Sequence, residues 1–370
     1  MTSTPLHELV AHGQSPWVDY LSRPFVRDHE LDRLVDTGVR GVTSNPTIFA
    51  GAIVEGDAYD DQLREVLRVE TDPKEVFLAL AVDDVRAACD ALLPVFDAES
   101  RRDGWVSLEV DPRLAGDTDA TTAETARLHR LVDRRNLMVK IPGTEAGLPA
   151  IEESVASGIP VNVTLLFSLE RHQAAAEAYV RGLRRLHRDG GDLRAMASVA
   201  SFFVSRVDTE ADRRLDEVGG HDGLKGTLAV ANARLAYQTY LKVFSGPRWA
   251  ELADAGATPQ WCLWASTSMK DPARPDVWYV EQLVGPDTVD TMPRRTAEAF
   301  ADHGRVADLL VHDIDGARAT MRAFAEAGVD YDDVVATLER EGVQKFGASF
   351  QELFDGIAAK RDHLLGISPS

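Results

Sequence analysis

Short apolar, β-branched runs alternate along the chain with amphipathic stretches, and the order repeats from end to end. That alternation predicts parallel strands joined by crossover helices. The expected strands are Trp17–Leu21, Gly41–Asn45, Trp105–Val110, Leu137–Ile141, Pro160–Leu166, Met196–Val204, Trp261–Ala265 and a weaker one around Thr288–Asp290. Between the first two, Leu31, Leu34 and Val35 share a helical face, with Asp28 as the N-cap and Gly38 as the stop. Residues 57–100 read as two or three helices, with Val76, Leu78, Leu80 and Val85 as apolar mass. Leu148, Ile151 and Val155 mark a helix after the fourth strand. A long helix is expected over Leu169–Arg188, ended by Gly190-Gly191. From Arg294 onward the pattern is helical throughout.

Eight strands alternating with helices are the count of a closed (β/α)8 TIM barrel. The expected organisation is a single α/β domain over 1–370: a barrel at 15–295 and a helical C-terminal extension at 296–370. The competing doubly wound sheet usually carries GxGxxG or a P-loop after its first strand. Neither is present, and Gly219-Gly220-His221-Asp222-Gly223-Leu224-Lys225 has the wrong spacing for one.

The bulk numbers narrow the partners. A net charge of −20 repels nucleic acid phosphates and anionic membranes, so neither is an expected partner. A phosphorylated ligand would need positive charge gathered locally against that background. Cys89 and Cys262 match no metal or redox spacing, and the histidines form no HExxH, so no metal is expected. His172, on the long helix, reads as a surface residue without a role. The amino terminus lacks a basic segment followed by an apolar core, and no apolar run approaches the ~20 residues a membrane span needs. With few cysteines, a cytoplasmic location is the expectation.

Barrel active sites form at the C-terminal ends of the strands. Those ends offer Asp19, Asn45, Glu109, Lys140, Asn162, Thr164, Ser201 and Ser266. Val, Ile and Leu would serve a purely structural interior, because an unpaired buried charge costs several kcal/mol. Lys140 is the sharpest member, since it interrupts the apolar run Leu137-Met138-Val139-Lys140-Ile141-Pro142. An amine desolvated in such a setting is more easily neutral, as Schiff-base chemistry requires. Taken singly, each residue has a plainer reading. Lys140 would be a strand-end lysine with its head in water, Asp19 and Asn45 turn residues, Glu109 a partner of Arg113, and Arg206 a solvated arginine at a helix start.

Several segments resemble the transaldolase family. They are Gly41-Val42-Thr43-Ser44-Asn45-Pro46-Thr47-Ile48-Phe49, Val106 through Leu114, Asn136 through Pro142 with Gly158 through Ser168, Ala197 through Asp208, and Leu263 through Lys270. They fall in order along the chain, and their wording is most similar to the longer bacterial branch found in actinobacteria. The resemblance implies an aldolase-type barrel that needs no cofactor. Its reaction would move a dihydroxyacetone unit from sedoheptulose 7-phosphate or fructose 6-phosphate to an aldose phosphate, within the pentose phosphate pathway.

By the same resemblance Lys140 is the nucleophile, and Glu109, with Thr164 and a water, shuttles protons. Asp19 takes the C4 hydroxyl proton. Asn45, Asn162 and Ser201 hold the fragment, while Arg206 and Ser266 bind phosphate. One position departs: two residues after Ser266, where many members carry arginine, stands Ser268, and Lys270 is the candidate for the missing charge. Alternatives are an aldolase releasing free dihydroxyacetone, a specialised transaldolase of secondary metabolism, and a silent barrel that only binds sugar phosphates. The oligomeric state stays open, with a homodimer compatible. The C-terminal helices are expected over either the barrel mouth or a subunit interface.

Overall fold

Eight parallel strands close in chain order into one barrel: β1 (Gln14–Asp19), β2 (Gly41–Thr43), β3 (Val106–Glu109), β4 (Leu137–Pro142), β5 (Val161–Leu166), β6 (Ser198–Phe203), β7 (Trp261–Ala265) and β8 (Thr288–Met292). The computed structural model describes residues 3–44 and 46–365. Helices cover the outside, as the alternating pattern requires, and the architecture is a (β/α)8 barrel with helices beyond β8. β8 runs to Met292, longer than its weak sequence signal, because it closes the ring against β1 over Gln14–Val18.

Residues two apart on a strand point the same way. One set therefore faces the barrel axis, including Trp17 and Asp19, Ser107 and Glu109, Met138 and Lys140, Asn162 and Thr164, and Val199 and Ser201. Trp17 lies at the N-terminal end and presses on Gly41, where an added Cβ would stand 2.5 Å from its ring. Its indole donates to Ser15 and to the buried Asp103. The other set, such as Val139, Val163, Phe202 and Trp264, packs under the helices.

Two expectations need correction. Asp28 ends the short helix Arg23–Arg27, which Ser22 caps, instead of starting a helix. The next helix, Glu30–Asp36, begins after His29, whose φ of 58° turns the chain sharply. The stretch 57–100, expected to hold two or three helices, holds two, Asp60–Val66 and Pro73–Ala98, the latter capped by Asp72 with proline in its first turn. His172 is buried, not on the surface. It lies on the inner face of the helix Leu169–Arg188, with Nε2 3.6 Å from Cys262 Sγ and its ring edge-on to Phe202. Burial pushes its pKa down to about 4, so it is a neutral core residue. No helix among the described residues is long and apolar enough to cross a membrane.

The C-terminal helix, Tyr331–Leu365, is the longest element. Phe350 and Phe354 pack on Phe77 of the helix Pro73–Ala98, with ring centres 5.9 and 6.3 Å apart. Lys360 donates to the carbonyls of Ile53 and Gly56 and pairs with Asp60. Near its start, Tyr331 donates to Asn232, and Arg214 binds Asp333 and Thr337. These contacts lay the helix across the C-terminal end of the barrel.

Candidate active site

The strand register builds the site. Glu109, Lys140 and Asn162 are direct neighbours on β3, β4 and β5, so their side chains leave the barrel wall in one row. Asp19 and Thr43 are neighbours on β1 and β2. Above these rows a cavity of about 320 Å³ opens at the C-terminal end. Asp19, Lys140, Thr164, Ser201, Arg206 and Ser266 line it. Glu109 and Asn162 are buried beside Lys140 and Ser201 and do not reach the cavity wall. Asn45 lies outside the described residues.

Lys140 Nζ is 3.3 Å from Glu109 Oε2 and donates to the Ser44 carbonyl at 3.2 Å. The partner of Glu109 is thus Lys140, while Arg113 pairs with Asp111. Desolvation raises the Glu109 carboxyl above the usual carboxylate range, and Lys140 works against that shift. Glu109 Oε1 and Thr164 Oγ1 are buried and have no hydrogen-bond partner among the described residues. An unpaired buried polar atom is costly, and active sites are where that cost is tolerated.

Two polar chains hold the remaining groups. Thr43 donates to Asp19 Oδ1 at 2.7 Å and lies 2.8 Å from Thr291 Oγ1. Ser201 donates to Asn162 Oδ1 at 2.7 Å, and Asn162 Nδ2 donates to Ser107 at 3.1 Å. Thr43, Thr291 and Ser107 carried no signal as isolated residues. Ser107 stands two residues before Glu109 and period 2 would have placed it on the same face, whereas Thr43 and Thr291 reach Asp19 through the pairing of β1 with β2 and β8.

The cavity mouth is set by strained and cationic groups. Ser266, just after β7, has φ of 59°, a rare conformation for a residue with a Cβ. Its hydroxyl lies 2.9 Å from Ser205 Oγ, and Thr267 anchors the turn by donating to the buried Asp290 at 2.8 Å. Leu165, at φ of 60°, marks the β-bulge next to Thr164. Arg206 is largely buried, and its guanidinium carbon stands 5.1 Å from the Phe203 ring centre and 5.9 Å from that of Phe346. Desolvation lowers its proton affinity, and the charge of Asp19 opposes that. Lys270 is exposed, donates to Ser268 at 2.9 Å and does not line the cavity. Lys345, Phe346 and Ser349 of the C-terminal helix do line it. No local pattern announced them, because only tertiary packing brings that helix over the mouth.

The family model described as Transaldolase/Fructose-6-phosphate aldolase matches residues 16–357. The transaldolase of Thermobifida fusca is 51% identical over 359 residues, covering 96% of this chain and 98% of that protein. The transaldolase of Acidothermus cellulolyticus is 53% identical over 352 residues, covering 94% and 95%. Transaldolase 1 of Streptomyces coelicolor is 50% identical over 365 residues, covering 98% and 96%. With the barrel, the buried lysine and this similarity together, the chain belongs to the transaldolase/fructose-6-phosphate aldolase family.

Proposed function

We propose that this protein is a transaldolase. It carries a dihydroxyacetone unit from sedoheptulose 7-phosphate or fructose 6-phosphate to an aldose phosphate, through a Schiff base on Lys140. The observation that carries this reading is Lys140 itself: a buried amine at a cavity floor, 3.3 Å from a buried carboxylate. The Lys140 amine attacks the ketose C2 carbonyl, forming a carbinolamine. Glu109 and Thr164, through a water, move the protons that let hydroxide leave as water, giving the iminium ion. Asp19 accepts the C4 hydroxyl proton. The C3–C4 bond then breaks, its electron pair flows into the iminium, and an aldose phosphate departs.

The three-carbon unit stays on Lys140 as an enamine. Asn162, Ser201 and Asn45 hold its hydroxyls until an acceptor aldehyde takes up the C3 electron pair. Hydrolysis of the new iminium frees the product. Arg206 and Ser266 bind the phosphate, Arg206 with paired donors. Lys270 lies behind Ser268 and contributes charge there. In this reading the enzyme works in the cytoplasm within the pentose phosphate pathway, and the whole chain acts as one unit.

The test is to incubate the protein with fructose 6-phosphate, reduce with borohydride, and locate the adduct by peptide mass spectrometry. A reduced three-carbon adduct on Lys140, absent from Lys140→Ala, supports the reading. Absence of adduct with both ketose phosphates overturns it. Free dihydroxyacetone as the main product, without transfer, would make the protein an aldolase.

A further inference from the structure

Resting on the sugar-phosphate reading above, we propose that Lys345 of the C-terminal helix is a second cationic ligand of the substrate phosphate. The cavity mouth is shared by Arg206, Ser266 and Ser268 from the barrel and by Lys345, Phe346 and Ser349 from the C-terminal helix. A phosphate dianion entering a chain of net charge −20 needs more than one positive group beside it. From the barrel, Arg206 supplies one at the mouth, and Ser268 is neutral. Lys270 is directed to Ser268 from outside the cavity wall. Lys345 is the further cation that reaches the wall at the mouth.

Two features make Lys345 suited to the task. It is paired with Glu341, one turn away on the same helix, at 2.9 Å. Their side chains are 67% and 42% exposed, so the pair is weak and gives way readily to a phosphate. The backbone that carries Lys345 is nevertheless fixed. Phe346 packs beside the Arg206 guanidinium, Thr47 donates to Ser349 at 3.1 Å, and Phe350 is seated on Phe77. A flexible side chain on an anchored helix can close on the ligand while the barrel stays unchanged.

The test compares glyceraldehyde 3-phosphate with unphosphorylated glyceraldehyde as acceptors. Lys345→Ala should raise KM for the phosphorylated acceptor about ten- to hundredfold, the usual loss of one charge-assisted contact. KM for glyceraldehyde should stay within about twofold, and Lys345→Arg should restore most of the loss. Glu341→Gln, which frees Lys345, should lower KM for the phosphorylated acceptor. An unchanged KM in Lys345→Ala, an equal change for both acceptors, or a larger effect from Lys270→Ala would overturn the proposal. Calorimetric titration with inorganic phosphate tests the site apart from turnover: weaker binding in Lys345→Ala supports it, and equal binding overturns it. Failure of the transaldolase reading would appear separately, as a wild-type protein that forms no borohydride adduct.

Discussion

Glu109 and Lys140 sit at the same register on adjacent strands, with Oε2 and Nζ 3.3 Å apart and both side chains nearly closed to solvent. Burying both partners of an ion pair is costly, so the pair makes better sense as chemistry than as a source of stability. Burial raises the proton affinity of Glu109, which suits a group that must take a proton and return it. Glu109→Gln keeps the shape and removes the titration. We expect kcat to fall about 10²- to 10⁴-fold, with KM changed little. Rapid-quench measurement of borohydride-trapped adduct should place the loss in Schiff-base formation; an unaltered rate there would exclude Glu109 from that step.

Thr43 acts on Asp19 through one hydroxyl, which also meets Thr291. Thr43→Val keeps the volume but leaves Asp19 without that donor. The expected cost in stability is about 1–2 kcal/mol. Adduct should still form on Lys140, while turnover falls about tenfold because cleavage depends on the orientation of Asp19. Adduct yield and steady-state turnover measured together will separate the two steps.

How much of this was legible in the sequence differs by residue. Lys140 stood out because a lysine inside an apolar strand run has few structural explanations. The helix Leu169–Arg188 and the strand Trp261–Ala265 fall on their expected bounds, since each has a clear period and a clear stop. His172 was misread because it is flanked by Arg171 and Gln173. Its true face was nonetheless written in Ala175, Ala176, Tyr179 and Leu183, which continue its side of the helix inward. Asp290, in the middle of β8, is met by Thr267 from the turn after β7, and no local pattern encodes such a contact. The same holds for the place of Lys345 and Phe346 at the mouth.

Asp290 also predicts a pH dependence of stability. It is fully buried, and desolvation raises its pKa to about 7, against the ~3.9 of an unfolded aspartate. Between these values the folded chain holds the extra proton. Its stabilising contribution is therefore full below about pH 4 and is lost as pH rises toward 7, by at most about 4 kcal/mol. Asp103, also raised to about 7 by burial, acts in the same direction. Asp290→Asn keeps an acceptor for Thr267 and abolishes the titration. Urea unfolding at pH 5 and pH 8 should show a smaller difference in the variant than in the wild type, with the slope from Asp103 remaining. An identical difference in both proteins would mean that Asp290 is ionised throughout.

The C-terminal helix is both a wall of the site and part of the core. Phe350 and Phe354 are buried on Phe77, and Phe77 in turn lies against Phe49, with ring centres 5.6 Å apart. Phe350→Ala should cost about 3–5 kcal/mol, read as a lower urea midpoint. Ending the chain after Gln344 removes Lys345, Phe346 and Ser349 from the mouth and uncovers Phe77 as well. That truncation should lower the melting temperature and cut kcat/KM more than tenfold, because the phosphate loses one face of its pocket and water gains access to the enamine. The two effects are separable, since Ser349→Ala touches the mouth but not the aromatic seat. It loses only the exposed bond from Thr47, so it should lower the melting temperature slightly and raise KM a fewfold. A truncated enzyme with full kcat/KM would mean that the helix stabilises the barrel without forming part of the site.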